Sequence, residues 1–121
     1  MTIVPDKLLE IVVKTADDRR AENIMAFDVR GKSIMSDYFV VLNGTSNRQN
    51  RAIAQSIIDE VEENGGKVKS VEGLDSDTWA LIDLGDVIVH VFSEEARDVY
   101  NIEKLWTDAE LVDLTDYVVE D

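Results

Sequence analysis

The stretch WALIDLGDVIVHVF, residues 79–92, is apolar yet holds the only histidine of the chain, His90, seven residues after Asp83. A carboxylate near an imidazole invites several chemistries. Asp83 could orient His90 as a general base, but that chemistry needs a nucleophile, and no GxSxG elbow or comparable motif is present. His90 could ligate a metal, but one histidine, no cysteine and scattered carboxylates make a poor zinc set. It could be a hydrogen-bonded structural histidine. Or it could join Trp79 in a patch that meets a partner, since aromatic groups beside polar ones are what interface hot spots contain. The residue types favour the last two readings.

A second candidate is Gly44-Thr45-Ser46, between an apolar run and a helical pattern. Free backbone N–H groups at such a turn can hold a phosphate, although the same residues also make a plain helix cap. A nucleotide-transferring enzyme would add two carboxylates on a nearby strand to hold Mg²⁺. Asp75 with Asp77 and Asp83 with Asp86 are the nearest pairs. The first sits in a polar loop, and the second has the wrong spacing for one strand face. Neither GxxxxGK[ST] nor GxGxxG occurs.

The elements that must position these residues follow from periodicity. Leu8, Leu9, Val12, Val13 and Ala16 predict a helix over 6–20, started by Pro5 and Asp6. Residues 24–30 and 37–43 read as neighbouring antiparallel strands. Ser46 and Gln49 have capping-box spacing, Ala52, Ile53, Ser56, Ile57 and Val61 form a stripe, and Gly65-Gly66 supplies a left-handed stop. Strands are expected over 67–72, 79–83 and 87–92, and a helix over 94–106. The strand–helix–strand unit in the middle implies a crossover and local parallel pairing. The fold class is α/β, one domain with a mixed sheet of about five strands flanked by helices.

Gly85-Asp86 between two apolar runs signals a two-residue type II′ hairpin turn. In that register Asp83 faces Ile88, Leu81 faces His90 and Trp79 faces Phe92. One face collects Ala80, Ile82, Leu84, Val87, Val89 and Val91, the expected core. The other collects Trp79, Leu81, Asp83, Ile88, His90 and Phe92. Asp83 is diagonal to His90, at roughly 7–8 Å between backbone positions.

Composition narrows the partners. The chain has 121 residues, 45% of them hydrophobic, which suits one packed domain. No apolar run reaches membrane-span length, and MTIVPDKLLE lacks the basic leader and apolar stretch of a secretory signal. The absence of cysteine excludes disulfides and is consistent with the cytoplasm. Acids number 26 against 12 bases, a net charge of −14, which disfavours direct nucleic-acid binding. Ten acids and two bases lie in residues 94–121, so −8 of the −14 is carried there.

DYFVVLNGTSNRQNRAIA, VEG, WALIDLGDVIVHVF and RDVYNIEKLW, in this order, resemble the ribosomal silencing factors, or Iojap-like family. The matching positions are Asp37-Tyr38-Phe39, Gly44-Thr45-Ser46, Glu72-Gly73, Trp79, Asp83, Gly85-Asp86, Val89-His90, Arg97, Tyr100, Glu103 and Leu105-Trp106. Asn101-Ile102-Glu103 departs mildly from the usual Asp-Leu-Glu. The resemblance spans about residues 7–107, so residues 1–107 are expected as the family domain and 108–121 as an acidic tail.

The resemblance implies a nucleotidyltransferase-like fold without that activity; no cofactor is expected, and the poor zinc set and broken carboxylate pair predict no metal. It implies binding to the large ribosomal subunit through its basic ribosomal protein fourteen, which blocks joining of the small subunit and lowers translation when nutrients are scarce. Homodimers would fit it too. The expected patch is Trp79, Asp83, His90, Tyr100, Glu103 and Trp106, with Trp79 as anchor and the acids as partners for Arg or Lys. The alternative is a nucleotidyltransferase-like enzyme that binds a nucleotide and Mg²⁺ at Gly44–Ser46 and Asp83 or Asp86.

Overall fold

Helix α1 (Pro5–Asp18) starts with proline in its first turn, where the missing N–H costs nothing. Leu8, Leu9, Val12, Val13 and Ala16 are buried along one side. The helix ends two residues before the expected position. Arg20 takes a left-handed conformation (φ 63°), so that Ala21 N–H reaches the Ala16 carbonyl at 3.0 Å and Arg20 N–H the Asp17 carbonyl at 2.9 Å. The computed structural model describes residues 3–30, 36–76, 78–100, 110–114 and 117.

Strands β1 (Glu22–Asp28) and β2 (Tyr38–Asn43) pair antiparallel, as their short link requires. Helix α2 (Asn47–Glu63) is capped by Ser46, whose Oγ accepts the Gln49 N–H at 3.1 Å. It ends at Gly65 (φ 87°), with Gly66 N–H returning to the Val61 carbonyl at 2.9 Å. Strands β3 (Ser70–Glu72), β4 (Trp79–Asp83) and β5 (Val87–Phe92) form an antiparallel meander, followed by α3 (Glu94–Tyr100). Residues 101–106 of the helix expected over 94–106 lie outside the described residues.

The sheet order is β3-β4-β5-β2-β1-β6, and only β2 and β5 run parallel as neighbours. The crossover through α2 therefore does not bring β3 beside β2, as the middle of the sequence suggested. Instead β5 takes that place. Its reason is burial: VIVHVF is apolar on both faces and suits the centre, whereas Ser70 and Glu72 of β3 are exposed and suit an edge.

The expected count of about five strands rises to six among the described residues. β6 (Glu110–Leu111) adds to β1 with Phe27 opposite Leu111, and Val112 N–H reaches the Ala26 carbonyl at 2.8 Å. Val112, Leu114 and Tyr117 pack against the core, so the segment set apart as a tail contributes to the same sheet and core.

The hairpin register is the one derived from the turn: Trp79 faces Phe92, Leu81 faces His90 and Asp83 faces Ile88. Gly85 has φ 86°, and Leu84 N–H reaches the Val87 carbonyl at 2.9 Å. Ala80, Ile82, Leu84, Val87, Val89 and Val91 are all buried, packed in one cluster with α1 and α2. Each of the fully buried Ile82, Val87, Val89 and Val91 side chains contributes about 1.5–3 kcal/mol.

The opposite side carries a smaller cluster of Phe27, Val29, Val41, Phe92 and Ala96, with Met25, Phe39 and Trp79 partly buried against it. One further tie joins α1 to β2. The Tyr38 hydroxyl donates to Asp6 at 2.5 Å, and Arg30, paired with Asp28 at 2.6 Å, lies over the Tyr38 ring at 5.3 Å. Burial, then the Asp6 contact, pushes the Tyr38 phenol up to about 12.

Candidate partner-binding face

His90 has two diagonal neighbours across the hairpin, Trp79 and Asp83, and the structure pairs it with Trp79. The indole Nε1–H donates to His90 Nδ1 at 3.2 Å. The Trp79 ring stacks on Phe92 at 5.1 Å between centroids, and Phe39 meets His90 edge-on at 5.6 Å. His90 is 4% exposed, deeper than its mixed face suggested. Burial lowers its pKa to about 4, so the ring is neutral near pH 7. With Nδ1 accepting, the ring proton is assigned to Nε2, which is buried with no hydrogen-bond partner among the described residues.

Asp83 is spent elsewhere. Its Oδ1 accepts the Gly85 N–H at 2.8 Å and braces the hairpin turn. It makes no hydrogen bond to His90, so the carboxylate–imidazole pair weighed as a catalytic dyad is not formed. The imidazole has one nitrogen engaged by Trp79 and the other protonated and buried, which leaves it no free lone pair for proton abstraction.

The Gly44–Ser46 turn stands at the carboxyl ends of the parallel neighbours β2 and β5. Their helices α2 and α3 pack with different clusters, on opposite sides of the sheet. That is the place where open α/β sheets bind ligands. A cleft of about 550 Å³ lies there between the starts of α2 and α3. Three backbone donors around the turn are already used. Gly44 N–H donates to Asn50 Oδ1 at 2.8 Å, and Thr45 N–H donates to Gln49 Oε1 at 2.5 Å. Gln49 N–H is taken by Ser46. Glu94 and Glu95 line the same cleft and oppose an anionic phosphate. Among the described residues no group of three or more His, Asp or Glu could hold a metal. Asp86 sits in the hairpin turn, and Asp77 lies outside the described residues.

Comparison with known proteins decides the family. Residues 3–121 match the family model described as ribosomal silencing factor during starvation. A ribosomal silencing factor from Bacillus subtilis is 50% identical over 107 residues, covering 88% of this chain and 91% of that one. The chain belongs to the ribosomal silencing factor family. Two solved structures share the fold. A crystal structure of a Bacillus halodurans protein is 40% identical with TM-score 0.81, covering 90% of this chain and 99% of the other. An X-ray structure from Chromobacterium violaceum is 32% identical with TM-score 0.83, covering 86% and 87%. The family match runs on through residue 121, beyond the point near 107 where the resemblance read from motifs stopped.

Several positions of the silencing-factor pattern acquire physical reasons. Gly73 has φ 73°, and a Cβ there would come within 2.3 Å of the Trp79 carbonyl oxygen, so this glycine lets β3 close onto the backbone that carries Trp79. Arg97, to which the sequence assigned no role, is buried: its Nη1 donates to Asn43 Oδ1 at 2.8 Å and lies 3.5 Å from the Glu22 carbonyl. It fastens α3 across the ends of β1 and β2. The signal was a lone base among Glu94, Glu95 and Asp98. Ser93 Oγ accepts the Ala96 N–H at 3.1 Å and starts the same helix. Tyr100 is the last residue of α3, its side chain outside the described set, as are Glu103 and Trp106. Of the six expected patch residues, Trp79 and His90 are in contact, and Asp83 lies at the far end of the same strand face.

Proposed function

We propose that this chain is a steric, non-enzymatic translation repressor. It docks on ribosomal protein fourteen of the large ribosomal subunit, blocks the small subunit from joining, and lowers translation when nutrients are scarce. Trp79 is the anchor, with Asp83, Tyr100, Glu103 and Trp106 around it. The observation that carries this reading is a half-buried tryptophan held in one orientation by Phe92 and His90, on a side of the sheet where exposed Glu94, Glu95 and Asp98 stand nearby on α3. A fixed aromatic anchor lowers the ordering cost of binding, and a chain of net charge −14 is steered toward a basic partner.

The transferase alternative draws support only from the position of the Gly44–Ser46 cleft. The engaged N–H groups of Gly44 and Thr45 and the two glutamates lining the cleft count against nucleotide binding. Calorimetry with millimolar nucleotide and Mg²⁺ separates the two, with no heat of binding expected. The direct test is sedimentation of purified subunits through sucrose gradients with and without the protein. Co-migration with the large subunit and loss of joined ribosomes are expected. Migration at the top of the gradient with joining unaffected overturns the proposal.

A further inference from the structure

His90 carries a cost that an apolar residue would avoid. Its Nε2 proton is buried with no acceptor among the described residues, which lowers stability relative to a hydrocarbon of similar shape. Leu or Phe would fill the space among Phe39, Trp79 and Phe92 without that loss. What neither supplies is an acceptor at the δ position of the ring. Stacking on Phe92 holds the plane of the Trp79 indole but does not choose which edge turns inward. The Nε1–H···Nδ1 bond makes that choice.

We infer that His90 is a positioning residue: its Nδ1 sets the orientation of the Trp79 indole, and it does so without touching the partner. The inference rests on the proposed docking through Trp79. Asp83 does not share the task, because its carboxylate is held by Gly85 N–H. The backbone of Trp79 is fixed separately by the close approach of Gly73. His90 therefore acts on the side chain alone.

The two ring nitrogens are separable. Asn places an amide oxygen near the δ position, Gln reaches only the ε position, and Leu has no acceptor. In ¹H–¹⁵N spectra of the free protein, the Trp79 indole resonance is assigned by its loss in Trp79→Phe. His90→Asn is expected to keep that proton protected from solvent exchange and to bind large subunits within about threefold of wild type. His90→Gln and His90→Leu are expected to expose it and to lose about tenfold in affinity. The Leu variant is expected to melt no lower than wild type, an outcome that a purely structural histidine does not allow.

The inference is overturned if Leu keeps both indole protection and affinity, or if Gln rescues where Asn does not. It is also overturned, with no substitution at all, if the imidazole ¹⁵N shifts of wild type place the proton on Nδ1. If Trp79→Phe and Trp79→Ala leave large-subunit binding unchanged while His90→Leu still exposes the indole, the positioning stands and the docking face lies elsewhere.

Discussion

The two faces of the β4–β5 hairpin come from the same eleven strand residues and obey different rules. On one, Ala80, Ile82, Val87, Val89 and Val91 are interchangeable in kind: each is a buried hydrocarbon, and what matters is volume. On the other, Trp79, Asp83 and His90 are specified atom by atom, through one indole N–H, one carboxylate oxygen and one ring nitrogen. The first face supports the sheet under α1 and α2. The second holds the Trp79 and Asp83 side chains by named hydrogen bonds. Substitutions should therefore separate stability from binding according to the face they touch.

The largest effect is expected at Ile82, which is fully buried on the aliphatic face. Ile82→Ala should lower unfolding free energy by about 2–5 kcal/mol in a denaturant titration, while the folded fraction binds normally. Acid should act next, through the other face. The His90 pKa is depressed from 6.5 to about 4 by burial, so the unfolded chain takes up this proton first as pH falls. Stability from this residue is complete above pH 6.5 and is lost down to about pH 4, by roughly 3 kcal/mol at most. His90→Leu should flatten that part of the stability–pH curve, while the contribution of Ile82 is the same at both ends.

Trp79→Ala should weaken large-subunit binding by about 2 kcal/mol, read by co-sedimentation, and destabilise the fold less than Ile82→Ala because the indole is only half-buried. The smallest effect is expected off both faces. Ser46→Ala removes the α2 cap and should cost about 1 kcal/mol of stability with binding unchanged. A loss of nucleotide affinity in that variant would instead revive the turn as a phosphate site.

Much of this division was legible in the sequence. Gly85-Asp86 and the alternation around it gave the register, because shifting it by one would turn the aliphatic side chains toward solvent. The Ser46 cap and the Gly65 stop were equally local. What stayed hidden depends on competition between groups at equal distance. Trp79 and Asp83 are both diagonal to His90, and the short Asp83 side chain is captured by an N–H two residues away before it can reach across. The depth of His90 depends on neighbours such as Phe39 from β2, which no periodicity within residues 79–92 reports. The two-residue strand β6 is too short to show a period. Arg97 reads as one charge among many until Asn43 is placed beside it.

The claim that Trp79 is the docking anchor is tested most directly by titrating purified large subunits with wild type and Trp79→Ala at one salt concentration, with circular dichroism confirming that both are folded. The account predicts that Trp79→Ala binds about thirtyfold more weakly, the equivalent of the 2 kcal/mol above, and fails to prevent subunit joining at concentrations where wild type does. A folded Trp79→Ala that binds and blocks joining as wild type does would contradict it.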